Sequence, residues 1–184
     1  LALSFNAMER YYEQHGREWE RYAFIKARAV GGDLAQCQSL LATLRPFVYR
    51  RYIDYSAFAA LRDMKAMIER EVRRKDMEAN IKLGAGGIRD VEFIAQAFQL
   101  IRGGVFKDLQ QRPLLPVLRV LAAHKLLPEQ AAADLATAYV FLRQVEHRIQ
   151  GYNDQQTQML PTDAFARSRL AASLGFADWP AFLA

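Results

Sequence analysis

Along almost the whole sequence, apolar residues return every three or four positions, and nowhere do they alternate with polar ones for the length of a strand. That spacing places them on one side of a helix. Phe5, Met8, Tyr11 and Tyr12 form one such stripe, and Leu61, Met64, Ile68 and Val72 form another. Glycine and proline punctuate the pattern at Gly16, Gly31-Gly32, Pro46, Gly84 to Gly87, Gly103-Gly104, Pro113 and Pro128. The reading predicts helices over 4–15, 17–30, 34–44, 57–74, 88–101, 113–126 and 128–151, with a short apolar turn at 47–49. A further helix runs to 174 and a terminal one follows Asp178. Asp33, Ser56, Asp163 and Asp178 stand where N-caps belong. Helices of this length joined by short connections imply an all-α helical bundle.

A chain of 184 residues suffices for one hydrophobic core. The expectation is a single helical domain over 1–184, with leading helices in 1–32, a bundle core in 33–155 and a C-terminal appendage in 156–184. The composition, 52% hydrophobic and 24% charged, is that of an ordinary globular protein. The single cysteine, Cys37, excludes an internal disulfide framework and a cysteine-rich metal site. It fits a reducing compartment, so the cytoplasm is expected, although a cysteine-poor secreted protein would look the same. No stretch approaches the roughly 20 apolar residues of a membrane span. The first ten residues lack the basic-then-apolar order of a signal peptide. The sequence does not begin with Met, and both ends read as the middle of an element, so a piece of a longer protein is expected.

Three groups of residues have the makings of chemistry. Residues 16–28 carry Glu18, Arg21, Ile25 and Arg28 on one broad helical face. Two readings fit them: surface ion pairs worth a few tenths of a kcal/mol, or Lys26 and Arg28 aimed at phosphate oxygens. The second group, residues 80–93, places Gly84, Gly86 and Gly87 immediately before a helix, with Lys82 and Arg89 on either side. Glycine opens backbone conformations closed to other residues. A helix N-terminus offers free N–H groups and a positive dipole end to an anion. The competing reading is a flexible helix–helix connection. A phosphate loop of the Gly-Lys-Ser/Thr type and a dinucleotide fingerprint are both excluded, since the ending and the strand context are missing. Asp90 and Glu92 open the helix, where the dipole favours carboxylates. Glu92 either reaches a metal, orients a basic group, or is a plain N-terminal charge.

The third group is a basic concentration over 45–75, with nine Lys/Arg against four acids, in a chain whose net charge is +5. Arg70, Arg73 and Arg74 share one helical surface. It suits a solvated face, an acidic partner or the rim of a nucleotide cleft, while the mixed signs argue against nucleic acid. His15, His124 and His147 are scattered without metal-ligand spacing. The sequence also lacks the Gly-Ser with paired carboxylates that marks a metal-dependent nucleotidyltransferase.

Several long words carry a resemblance. They are residues 11–13, 16–23 and 25–28, then 46–52, 80–84 and 86–94 with 96–104. Phe141-Leu142-Arg143, Glu146-His147-Arg148, 154–157 and Leu160-Pro161 add to it. Together they make the sequence resemble the glutamine synthetase adenylyltransferase family over nearly its whole length, and specifically the N-terminal, adenylyl-removing half. The resemblance implies a four-helix up-and-down core like that of nucleotidyltransferase substrate-binding domains. It implies an enzyme that removes AMP from a tyrosine of glutamine synthetase by phosphorolysis, giving ADP, as part of nitrogen-assimilation control.

In that family a preceding nucleotidyltransferase domain carries the aspartates that hold magnesium, so no catalytic carboxylate is expected among these residues. The chain alone is expected to be inactive and to bind neither magnesium nor ATP, ADP or phosphate by itself. The phosphate- or nucleotide-facing residues are then Lys26, Arg28, Lys82 and Arg89, with Gly84, Gly86 and Gly87 shaping the loop and Glu92 orienting a base or joining the metal shell. The implied partners are glutamine synthetase, the PII signal protein and the preceding domain. The alternative is a docking or regulatory module for glutamine synthetase or PII, through Arg70, Arg73 and Arg74, that adds no catalytic groups.

Overall fold

The computed structural model describes residues 3–52, 55–152, 154 and 156–184, and the side chains of all of these except 55–58. Asp54 and Gln155, used above in the charge count and the resemblance, lie outside the described residues, as does the side chain of Ser56. Among the described residues there are ten α-helices and one short 3-10 turn, and no strand beyond a single isolated bridge between Asn80 and Met159. The fold is all-α, as the periodicity requires.

The helices are α1 (Phe5–Gln14), α2 (Glu18–Phe24), α3 (Leu34–Thr43), α4 (Arg45–Val48), α5 (Tyr55–Arg74), α6 (Ile88–Arg102), α7 (Leu114–Ala123), α8 (Glu129–Gly151), α9 (Ala164–Ser173) and α10 (Trp179–Leu183). Their starts follow local chemistry. Ser4 Oγ accepts from the Ala7 amide, and Asp33 Oδ1 accepts from those of Ala35 and Gln36. Asp163 and Asp178 do the same for Ala166 and Ala181. Each satisfies an amide that has no partner inside its own helix. Two expectations fail. The helix predicted over 17–30 ends at Phe24, where the amides of Lys26 and Ala27 tighten onto the carbonyls three residues back. The helix predicted from 57 starts at Tyr55, so Ser56 lies inside it rather than capping it.

Contacts divide the chain into two compact units, Leu1–Lys65 with Ile94–Glu129, and Ala66–Phe93 with Gln130–Ala184. In the first unit the core holds Ile25, Leu44, Val48, Leu61, Leu100, Leu109 and one apolar face of α7. Two buried polar groups organise it. Gln99 is 1% exposed and donates through Nε2 to the carbonyls of Leu109 (2.6 Å) and Gln111 (2.7 Å), which pins the 3-10 turn Lys107–Leu109.

Arg21 is also 1% exposed. Its Nε and Nη2 donate to the Val48 carbonyl at 3.2 and 3.1 Å, Nη2 reaches the Leu100 carbonyl at 3.5 Å, and Nη1 pairs with Glu18. Val48 ends α4 and Leu100 lies in the last turn of α6, so both carbonyls lack helical partners. One guanidinium thus closes two helix ends, where a positive charge also opposes the dipole. The reading of Arg21 as a surface ion-pair residue is corrected accordingly.

In the second unit the buried cluster is Ile81, Val145, Ile149 and Leu170, with Phe141, Leu142, Leu160, Leu174, Trp179 and Phe182 packed on it. Phe182 meets Trp179 at 4.9 Å and Phe176 at 5.5 Å between ring centroids. Phe182 also meets Phe141 of α8 at 6.0 Å, a contact that holds the short α10 onto the longer helix.

Candidate functional site

Within the second unit, residues 79–92 form an ordered turn rather than a flexible connection. Asn80 is 6% exposed, and its Oδ1 accepts from the amides of Lys82 and Leu83, both at 3.0 Å. The Gly84 amide donates to the Asn80 carbonyl at 2.7 Å, and that of Gly87 to the Gly84 carbonyl at 3.0 Å. On the far side, the Ile81 amide donates to Gln158 and the Leu160 amide to Ala79, each at 3.0 Å. The turn is therefore bonded along its own length and also strapped to the segment after α8.

The N-terminus of α6 does not present the free amides that were expected of it. The amide of Ile88 donates to the Ile81 carbonyl and that of Arg89 to Lys82, both at 3.0 Å, while Asp90 and Val91 donate to Gly87. The Gly86 amide is taken by Asp90 Oδ2 at 2.9 Å. A buried N–H is rarely left unbonded, and here the turn itself supplies the acceptors. Any anion at this place would meet side chains and the helix dipole, without a cradle of backbone donors.

The side chains make a charged cluster. Lys82 Nζ lies 3.8 Å from Glu146 Oε1, and Arg143 Nη1 lies 2.5 Å from Glu146 Oε2. The Glu146 side chain is 4% exposed, whereas Lys82 and Arg143 are 41% and 38% exposed. A buried carboxylate thus tethers two cations whose heads still reach solvent. Tyr139 stands two turns before Glu146 on α8. Its burial, followed by the charge of Glu92, raises its hydroxyl above the usual tyrosine range. Arg89 is exposed and has no carboxylate partner among the described residues.

The second unit thus brings Lys82, Gly84, Gly86, Gly87, Arg89 and Glu92 into one turn and the start of one helix. Lys26 and Arg28 belong to the first unit, just after α2. Both are exposed there, and Lys26 Nζ donates to the Arg112 carbonyl. The sequence reading did not single out Tyr139, and it treated Arg143 and Glu146 only as part of the resemblance. The spacing of Tyr139, Arg143 and Glu146, four and then three residues apart on a helix, was the available signal.

Arg70, Arg73 and Arg74 are exposed near the end of α5. Arg74 is engaged: its Nε and Nη2 grip Glu71 at 2.9 and 2.6 Å, and Lys75 adds a contact at 3.0 Å. These hydrogen bonds hold the Glu71 carboxyl down at about 2, against an ordinary 4.5. A depressed carboxylate contributes stability above its unfolded pKa, which is lost as pH falls through the folded one. Carbon-detected NMR titration of Arg74→Ala should therefore show the Glu71 midpoint rising toward 4.5.

Among the described residues no group of three or more His, Cys, Asp or Glu is placed to hold a metal ion. No helix among them is long and apolar enough to cross a membrane.

Comparison with known proteins places this architecture. The family model GlnD PII-uridylyltransferase matches residues 62–184, and the model glutamate-ammonia ligase adenylyltransferase matches residues 1–45. The chain is 60% identical over 182 residues to a bifunctional glutamine synthetase adenylyltransferase/adenylyl-removing enzyme of Pseudomonas syringae pv. tomato, covering 99% of this chain and 18% of that protein. Proteins described in the same words from Nitrosococcus oceani and Hahella chejuensis are 58% and 59% identical, over 99% and 98% of this chain and 19% of each of them. The chain spans less than a fifth of the length of these curated relatives, which it matches almost end to end on its own side. It belongs to the family of bifunctional glutamine synthetase adenylyltransferase/adenylyl-removing enzymes, with residues 62–184 also forming the segment that the GlnD PII-uridylyltransferase model describes.

Proposed function

We propose that this chain is the helical part of the adenylyl-removing half of such an enzyme, where it supports phosphorolytic removal of AMP from the adenylylated tyrosine of glutamine synthetase, with ADP as product. The observation that carries the reading is the ordered 79–92 turn. It keeps Lys82 and Arg89 one hydrogen bond apart along the backbone and half-exposes the Lys82 ammonium while a buried Glu146 anchors it. Fixed cations that need no reorganisation stabilise charge developing on a phosphoryl group. Lys82 and Arg89 would meet phosphate or the adenylyl group, Gly84, Gly86 and Gly87 would set the turn, and Glu92 would hold a basic neighbour in place.

Magnesium is the metal this chemistry calls on, and it would neutralise charge on the phosphate oxygens. The residues here do not make a site for it: Asp90 is spent on the Gly86 amide and Glu146 on two cations. The metal, with ATP or ADP, belongs in this proposal to the preceding domain of the whole protein, in the cytoplasm.

The test is phosphate-dependent ADP formation from adenylylated glutamine synthetase by the whole enzyme with magnesium. Arg89→Ala should lower kcat/KM for phosphate by roughly tenfold or more, the scale of one lost charge-assisted contact. Lys82→Ala should act in the same direction, with the helical circular dichroism unchanged. Wild-type kinetics in both variants would remove these residues from the site.

A second reading has one observation in its favour: Arg70 and Arg73 are exposed on α5 without a carboxylate partner among the described residues. In that reading they dock glutamine synthetase or the PII protein. Capture of either protein should then weaken as salt rises past physiological strength, and in Arg70→Glu with Arg73→Glu. Binding indifferent to both would end it.

A further inference from the structure

Between the end of α8 and α9, wholly within the second unit, lies a hollow of about 620 Å³. A second hollow of about 480 Å³ shares His147, Arg148 and Ser173 with it. The first is within the range of small-molecule sites, roughly 300–1,000 Å³. Its floor is apolar and belongs to the core, with Ile149 and Leu170 at 9% and 7% exposure. Its rim is cationic. Arg148 and Arg169 both line it, both are exposed, and neither has a carboxylate partner among the described residues. The one acid in the lining, Asp163, is spent on the Ala166 amide.

Arg169 is also held in place. Its guanidinium stacks 4.4 Å from the centre of the Tyr152 ring and 5.5 Å from that of Phe165. Those rings are themselves 42% and 69% exposed, so flat aromatic surface remains open beside the charge. An exposed tyrosine ring beside a stacked guanidinium, with a second arginine in the same lining and an apolar floor, supplies the parts that bind a planar body bearing an anionic group.

We infer that this hollow is a binding site for a nucleoside phosphate, with the phosphate between Arg148 and Arg169 and the base against the Tyr152 ring. Nothing in the proposed reaction uses it. The phosphate needs cationic partners, and Arg148 and Arg169 both line the hollow. The base needs a ring face and a dry floor, which Tyr152, Ile149 and Leu170 supply. An inorganic anion would use only the first half of the site and a nucleoside only the second.

The probe is 8-azidoadenosine 5′-monophosphate, photolysed on the full 184-residue chain and on the whole enzyme, with the labelled peptides mapped. Label is expected within 149–173 and should fall tenfold or more in Arg148→Gln with Arg169→Gln. The same label should persist in Lys82→Gln with Arg89→Gln, which separates this site from the one proposed above. Unlabelled AMP should compete at concentrations where adenosine or inorganic phosphate alone does not. Label absent from 149–173, label unchanged in the double arginine variant, or equal competition by adenosine or by phosphate would each overturn the inference.

Discussion

Gly84→Ala should destabilise the chain by about 3 kcal/mol, the cost of forcing a methyl group into filled space. An added Cβ at Gly84 would stand 2.5 Å from the Glu78 carbonyl oxygen and 2.7 Å from that of Asn80. Both obstacles are backbone, and the Asn80 carbonyl already accepts the Gly84 amide, so the turn cannot open without losing its own bonds. Gly87→Ala should behave alike, since its Cβ would meet the Ile81 oxygen at 2.6 Å and the Gly84 oxygen at 2.9 Å. Gly86 is the internal control. It has open space around it but sits at φ +72°, so alanine there should cost only about 1–2 kcal/mol of left-handed strain. Urea unfolding of the three variants checks this, and equal midpoints for Gly84→Ala and Gly86→Ala would refute the steric account. The same comparison bears on the proposed site, because a loosened turn no longer fixes Lys82 against Glu146.

Arg21→Met should cost about 3–5 kcal/mol, the range for removing one partner of a buried charged network. Methionine fills much of the volume of the arginine stem but donates nothing, so the Val48 carbonyl would be left buried and unbonded. Arg21→Lys should recover part of the loss, because one ammonium reaches a single carbonyl where the guanidinium serves two. Glu18→Gln should cost well under 1 kcal/mol, since its side chain is 30% exposed and water replaces the pair. Thermal unfolding followed by circular dichroism distinguishes the three. If Arg21→Met and Glu18→Gln melted together, the guanidinium would be acting through its surface pair and not through the helix ends.

Arg21 and Gly84 fall in the first two residue groups of the sequence, 16–28 and 80–93, and they divide what those groups do. In the first, Glu18 and Arg21 were paired correctly from their spacing, yet the arginine is a structural cap whose other acceptors lie 27 and 79 residues away. In the second, the glycines were read correctly as a special turn ahead of a helix. The prediction of free amides there failed because the carbonyls of Ile81, Lys82 and Gly87 fold back onto the donors. Lys82 and Arg89 were legible as flanking cations, but Glu146, the anchor of Lys82, stands 64 residues further along the sequence.

By itself, the sequence determined the all-α class, most helix boundaries and the family, because these rest on short-range physics and on long matching words. The caps show why: Ser4, Asp33, Asp163 and Asp178 bond to amides only two or three residues ahead, so the information lies within one turn of chain. Only the tertiary structure decided where α2 stops, which carbonyls Arg21 closes, what holds Lys82, and that two arginines without a carboxylate partner among the described residues line a hollow after α8. Those outcomes depend on partners brought together by burial of the core, and the local pattern of a sequence does not say which distant carbonyl or carboxylate will arrive.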